Sequence, residues 1–301
     1  MSHGAWLYPI VFSIGIFLTS CSGSRSTSGF EQDRFIGTLV VQSKFGNFSG
    51  AQSVSIDAFG NVYVIDRTAP GIVKFNAKND SVASVIGFGK EHNRFDDPYD
   101  IDASLTNSIA VADKNNHRIE IYSKDLIWQA TITGHTPGSN IAFGYPTALR
   151  ASQSGNYFII DAENKRALSI NPANGSQKVF TPSGIESGVG LIPIAIALTG
   201  SESLTIADGN SKSLIMFNNA LLPQARERYS AVIESSLFSS DTYIYAFDAL
   251  LGVIRVFDEN DLSYQGSIHL PQNVNQPVAI SVYKDRFYVL TKENVFVCTK
   301  E

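Results

Sequence analysis

Short apolar runs that end in aspartate recur along the chain. NVYVID closes at Asp66, SIAVAD at Asp113, NYFIID at Asp161, SLTIAD at Asp208 and YIYAFD at Asp248, and RFYVLT holds the same place with Thr291. The ends are 47, 48, 47, 40 and 43 residues apart. Nine residues after each Asp an apolar residue closes a further run, at Phe75, Tyr122, Ile170, Phe217 and Phe257. Upstream of most copies a segment opens on proline, at Pro98, Pro146, Pro193 and Pro277. The Asp-ended runs are almost continuously apolar rather than alternating, the pattern of a strand buried on both faces. Each repeat therefore predicts an inner strand, a Gly/Asn turn, the Asp-ended strand, a polar loop, a third strand and a ragged fourth. No helical period follows residue 30.

Four short strands in units of 40 to 48 residues, six times over, predict an all-β, six-bladed β-propeller. The chain stops after Val297-Cys298, one strand short of a full last unit, and a spare β-like run, FIGTLVV, occupies residues 35–41. That run is predicted to be the outer strand of the last blade, closing the ring and removing unpaired edges at both chain ends. The weakest stretch is 221–240, where LLPQARERY interrupts the pattern and an irregular or missing outer strand is expected.

The first thirty residues carry a different signal. An apolar run from Trp6 to Leu18 is shorter than the roughly 20 residues a membrane-spanning helix needs, and fits a signal-peptide core. It ends in Leu18-Thr19-Ser20-Cys21, which resembles the bacterial lipobox. The resemblance implies a lipoprotein signal peptide over 1–20, lipidation of Cys21, a flexible Ser-rich tether over 21–32 and the propeller over 33–301. It also implies a place in the cell envelope, lipid-anchored, with Ser22 pointing to the outer membrane, on its periplasmic side or surface. The segment departs from the usual pattern in having no Lys or Arg before Arg25, and the alternative reading is an ordinary cleaved signal or an uncleaved anchor. Cys298 is then a lone thiol, expected to act as a small buried hydrophobe.

Composition narrows the function. With 23 basic and 28 acidic residues, a net charge of −5, the chain lacks the basic field a nucleic-acid binder needs. Only 17% of residues are charged and 11% are aromatic, which excludes a disordered chain.

The string from Asp113 to Tyr122, DKNNHRIEIY, closely resembles the NHL repeat, and GFGKEHNRFDDPYDID before it resembles the same family's approach to the inner strand. The resemblance is strongest in the first three units and specific for architecture. Its last unit has lost the Asp. NHL-like propellers include metal-dependent lyases, and related rings include lactone hydrolases and an antibiotic-linearising lyase, so the resemblance leaves an enzyme at the mouth of the central channel as the alternative to a binding module.

In such a blade the loops joining second to third strand, and fourth strand to the next blade, share one face. On them lie Arg67, His92, Arg94, Asp96, Asp97, Tyr99, Lys114, Asn115, His117, His135, Tyr145, Glu163, Lys165, Asn210 and Lys212. Arg94, Phe95, Tyr99, Phe143 and Tyr145 are candidate anchors for a protein, peptide or glycan partner. His92, His117 and His135 border the second blade and are the weak metal candidates, but no HExxH or paired ligand spacing supports a metal, and no cofactor is implied. No nucleophile elbow, P-loop or dinucleotide fingerprint is present. The recurring Asp66, Asp113, Asp161, Asp208 and Asp248 read as structural carboxylates accepting backbone N–H bonds, with Arg118 and Arg166, five residues on, placed to pair with two of them.

Overall fold

The structure, a computed structural model, describes residues 34–133, 142–180, 190–220, 222–228, 236–240, 242–249 and 251–301. The signal, Cys21, the tether and His135 lie outside the described residues. Those residues belong to the compact unit Asp33–Glu301 and contain strands but no helix.

After β1 (Phe35–Phe45), the strands come in antiparallel fours. The first is β2 (Ala51–Ile56), β3 (Val62–Asp66), β4 (Gly71–Phe75) and β5 (Ser81–Ile86). The second is β6 (Pro98–Asp102), β7 (Ser108–Asp113), β8 (Arg118–Ser123) and β9 (Trp128–Thr133). The third is β10 (Pro146–Ala151), β11 (Tyr157–Asp161), β12 (Arg166–Asn171) and β13 (Ser176–Phe180). The fourth is β14 (Pro193–Leu198), β15 (Leu204–Asp208), β16 (Ser213–Phe217) and β17 (Pro223–Arg228). Then follow β18 (Ser236–Ser240), β19 (Tyr243–Asp248), β20 (Val253–Asp258), β21 (Tyr264–His269), β22 (Pro277–Tyr283), β23 (Arg286–Thr291) and β24 (Val295–Lys300), which with β1 form one eight-stranded sheet in the order β18-β19-β20-β21-β1-β24-β23-β22.

The Asp-ended strands β3 and β15 are buried at every residue, as their unbroken apolar runs require, whereas the outer strands β5 and β17 alternate with solvent. Apolar clusters fill the spaces between neighbouring sheets. Tyr63, Ile65 and Ile72 of the first pack on Ile101, Ile109 and Val111 of the second, and Leu290, Val295 and Val297 of the terminal strands pack on Val54, Val62 and Val64 of the first. The first strands also neighbour one another in a cycle, β2 to β6, β10, β14, β18, β22 and back to β2.

β1 joins the two ends of the chain. Its residues Leu39 to Phe45 pair antiparallel with Lys300 to Val295 of β24, as FIGTLVV predicts. The strand is longer than expected, and its first residues also pair in parallel with β21, Phe35 opposite Ser267 and Thr38 opposite His269. Gly266, at φ +143°, makes that approach possible, because a Cβ there would meet the Arg34 carbonyl oxygen at 2.5 Å. Leu39, 1% exposed, plugs the cluster that also holds Phe247, Val289 and Cys298, and burial pushes the Cys298 thiol up to about 11.

One expectation is corrected. The outer strand of the fourth unit is not missing: PQARER forms it as β17, with Arg226 opposite Ile215 and a register shift at Met216/Phe217, while Leu221 and residues 229–235 of the same stretch lie outside the described residues. Its exposed Arg226 and Arg228 sit on the solvent side of an edge strand, where charge discourages further pairing.

Replacing Leu39 by Ala is expected to lower unfolding free energy by about 2–5 kcal/mol, the range for emptying a buried leucine site. Gln42→Ala, on the exposed end of the same strand, should change it by less than about 0.5 kcal/mol. Urea unfolding of the two variants checks this; equal midpoints would mean that β1 does not latch the fold.

Candidate binding face

The loops of one face are shaped by the strand-end carboxylates. Asp66 accepts the Ser49 N–H at 2.9 Å, Asp113 the Asp96 N–H at 2.8 Å, Asp161 the Gly144 N–H at 3.1 Å and Asp208 the Ile192 N–H at 2.8 Å. Each donor lies 16 or 17 residues before its Asp, at the approach to the same sheet's first strand. The other lone pairs take N–H groups of the turn that follows, such as Thr68 and Ala69 on Asp66. One side chain thereby fixes both loops that its sheet contributes to the face. Four residues after the Asp the turn reaches the left-handed region, with His117, Lys165, Lys212 and Gly252 at φ 52°, 50°, 48° and 64°. A fifth residue on, Arg118 and Arg166 stand directly opposite Asp113 and Asp161 in the ladder and pair with them at 2.9 Å. Arg255 pairs with Asp248 at 2.8 Å from two residues further along, a partner the five-residue spacing does not reveal.

Arg118 is the most heavily committed of these. Its Nε also lies 2.9 Å from Glu120 Oε1 but points its hydrogen at Asp113, so Oε1 has a charge neighbour and no hydrogen bond. Its Nη atoms donate to the carbonyls of Lys90, Glu91 and Arg94 at 2.6, 3.2 and 2.8 Å, clamping the loop that leads into β6. Complete burial pushes the Asp113 carboxyl up to about 6, against the pull of hydrogen bonds from Asn116 and the Asp96 amide and the charge of Arg118.

Between the first and second sheets the face carries a compact polar group. Asp97 receives Arg67 Nε on one oxygen and Lys114 Nζ, at 2.9 Å, on the other. Both cations lie over the Tyr99 ring, at 5.0 and 5.2 Å from its centroid. Partial burial opposes ionisation of Asp97, yet the hydrogen bonds from Arg67 and Lys114 outweigh it and hold the carboxyl below the usual range. Between the second and third sheets His117 packs its ring on Tyr145 at 4.6 Å, takes the Tyr145 N–H on Nδ1 at 3.3 Å and lies 3.9 Å from Glu163 Oε2. Gly144 allows this, because any Cβ there would collide with Glu163.

Other candidates fall elsewhere. His92 stacks on Trp128 of the outer strand β9, with centroids 3.9 Å apart, and does not join His117. The Arg94 side chain lies along Gly87 and Gly89 on the same rim. Asp96 is tied to Asn115 at 3.1 Å, and Asn210 to the Gly190 carbonyl at 2.7 Å. Phe95 and Phe143, expected as anchors, are buried at 0% and 4% exposure, since a ring with no polar tip is best placed beneath its loop. Among the described residues no group of three His, Cys, Asp or Glu is arranged to hold a metal.

Sequence reading passed over the ring's axis. Asp100 accepts Ser53 Oγ at 2.6 Å and Arg150 Nη1 at 2.9 Å, and Arg150 Nη2 reaches the Leu237 carbonyl at 3.0 Å, so one guanidinium links the second, third and fifth groups of strands. The signal was a charged residue inside an otherwise apolar first strand, PTALRA. A hollow of about 330 Å³ lined by Ser55, Asp102, Arg150 and Thr199 opens on one side of this bridge, and one of about 30 Å³ lined by Gln52, Tyr99 and Ser236 on the other.

By sequence, no protein-family model matches the chain, and neither does any curated protein. By structure, it is similar to virginiamycin B lyase from Staphylococcus aureus, at a TM-score of 0.61 and 10% identity, over 85% of this chain and 98% of that one. It is also similar to a chain of the nidogen/laminin complex, at 0.53 and 15% over 73% and 80% of the two chains, and to the RRP9 WD40 repeats, at 0.58 and 13% over 83% and 79%. These likenesses are of fold: the chain is an all-β protein of the β-propeller kind.

The raised Asp113 carboxyl has a pH signature. Unfolded aspartate titrates near 3.9, so between about pH 4 and 6 the folded state keeps a proton that the unfolded state has lost. Asp113 then contributes most stability below pH 4, less as pH rises through about 6, and a constant amount above. The unfolding free energy of wild type minus that of Asp113→Asn should fall by about 2 kcal/mol from pH 4 to pH 7. Urea titrations at four pH values test it, and a pH-independent difference would count against the raised value.

Proposed function

We propose that this chain is a lipid-anchored, six-bladed NHL-type propeller that serves as a binding scaffold in a bacterial cell envelope, docking a protein or peptide on its loop face. The six-bladed reading is supported by the eight-stranded sheet, which divides into two antiparallel fours, β18–β21 and β22–β24 with β1, joined only where β1 touches β21. The NHL reading rests on the DKNNHRIEIY string, and the anchor on Leu18-Thr19-Ser20-Cys21 followed by a Ser-rich segment.

The observation that carries the binding reading is the group of Arg67, Tyr99, Lys114 and Asp97. Arg and Tyr are the residue types that anchor protein interfaces, and here they are held in place before any partner arrives. Loops fixed by buried carboxylates lose little further freedom on docking, which removes part of the entropic penalty of association. A fold shared with the nidogen/laminin complex and with WD40 repeats suits this role. The lyase likeness, at 10% identity, brings no site residues with it.

Two experiments test the reading. Partner recovery from detergent-solubilised envelope should drop at least tenfold for Arg67→Ala/Tyr99→Ala and stay level for Lys178→Ala on the outer strand β13; equal recovery from all three removes this face. Cys21→Ser should leave a protein that partitions into water and lacks the acyl mass, and an unchanged mass with unchanged partitioning contradicts the anchor.

A further inference from the structure

Beside the Arg67 group the face opens into a cleft of about 330 Å³ where the first sheet meets the terminal strands, lined by Ser49, Gln52, Arg67, Thr68, Asp97 and Lys292 among others. Its charge runs against that of the molecule. The chain carries a net −5, while Arg67, Lys292 and the adjoining Lys114 outnumber the carboxylates of Asp97, which lines the cleft, and of buried Asp66, which accepts the Ser49 and Thr68 N–H groups behind its wall.

These cations have donors to spare. Arg67 commits Nε to Asp97 and one Nη1 hydrogen to Gln52 at 3.3 Å, which leaves three of its five N–H groups without a protein acceptor among the described residues. Lys114 commits one of three ammonium hydrogens to Asp97. The Lys292 ammonium has no hydrogen-bond or ion-pair partner among the described residues; only its backbone is used, its carbonyl accepting the Ala51 N–H at 3.0 Å. The cluster already holds one carboxylate, that of Asp97, between two cations.

We propose that this cleft receives the side-chain carboxylates of an acidic peptide segment of the partner, bound by Arg67, Lys114 and Lys292. The inference rests on the scaffold reading and gives its site a chemical class. A long polyanion is disfavoured, because the net charge of −5 leaves it only this small cationic spot to neutralise its many phosphates. A glycan is disfavoured because both cations already lie over the Tyr99 ring, the aromatic surface on which a sugar would stack. A few carboxylates on an extended chain match a small cleft with a small excess of positive charge, and make the interaction sensitive to salt.

The test uses the full chain in detergent and a fluorescein-labelled hexaglutamate, read by fluorescence anisotropy. Saturable binding is expected, weakened at least tenfold between 50 and 300 mM NaCl and about three- to tenfold by Lys292→Gln. Lys292 is exposed and its side chain makes no hydrogen bond or ion pair among the described residues, so this variant is expected to keep the fold; Lys178→Gln should bind like wild type. Arg67→Gln should weaken binding further. Absence of saturable hexaglutamate binding, or equal binding by Lys292→Gln, overturns the proposal. So does tighter binding of an oligogalacturonate or an oligothymidylate that depends on Lys292, which would place the class with glycans or nucleic acids. If hexaglutamate fails while partner recovery still depends on Arg67 and Tyr99, only the acidic class falls; if both fail, the scaffold reading falls with it.

Discussion

A carboxylate buried at the end of a strand must find donors, and this molecule is organised around how it finds them. Asp66, Asp113, Asp161 and Asp208 are each less than 5% exposed, and each collects N–H groups from two chain segments that would otherwise be independent: a backbone amide of the arriving chain, and from the following turn backbone amides at Asp66, Asp161 and Asp208 but the Asn116 side-chain amide at Asp113. Leaving such a group unpaired would cost several kcal/mol, so the two segments are fixed together or the strand cannot end there. Because the two segments are the turn after the strand and the chain arriving at the same sheet, repetition of one residue type builds a whole face of ordered loops. The positive φ at His117, Lys165 and Lys212 is the local strain that this tight turn imposes, and Gly252 takes the same position without it.

The other constraint is closure. Sheets buried against their neighbours leave no room for a free side, so the first and last strands must meet. β1 does so through both of its edges, on β24 and on β21. The axis adds a second tie, in which Arg150 and Asp100 join strands far apart in sequence. Together these tie distant parts of the chain into the framework that carries the polar group at Asp97.

Much of this was legible in the sequence because burial and turn geometry leave periodic traces. The Asp register, the continuous apolar runs and the opposed Arg118 and Arg166 follow from strand pairing, and β1 followed from counting strands. PQARER is hard to see as a strand in the sequence because an outer strand with one face in water has no apolar run to show, only alternation. The site was half legible. Arg67, Tyr99 and Lys114, expected on one face, do lie together, but His92 does not join His117, because spacing along a loop does not say which end is inward. The loop after β5 runs inward from the rim, so His92 meets Trp128 of the outer strand while Asp97 reaches Arg67 and Lys114. Lys292 escaped notice because it follows Thr291, where the Asp that marks the register is lost. Arg150 and Asp100 find each other only across the ring.

Amide hydrogen exchange at Ser49, Asp96, Gly144 and Ile192 tests the central claim most directly, since these are the loop N–H groups that the buried carboxylates accept. The account predicts exchange as slow as in the strands beside them, with protection at Asp96 lost selectively in Asp113→Ala and retained at the other three. Exchange at the rate of free loop amides in the wild-type protein would contradict it.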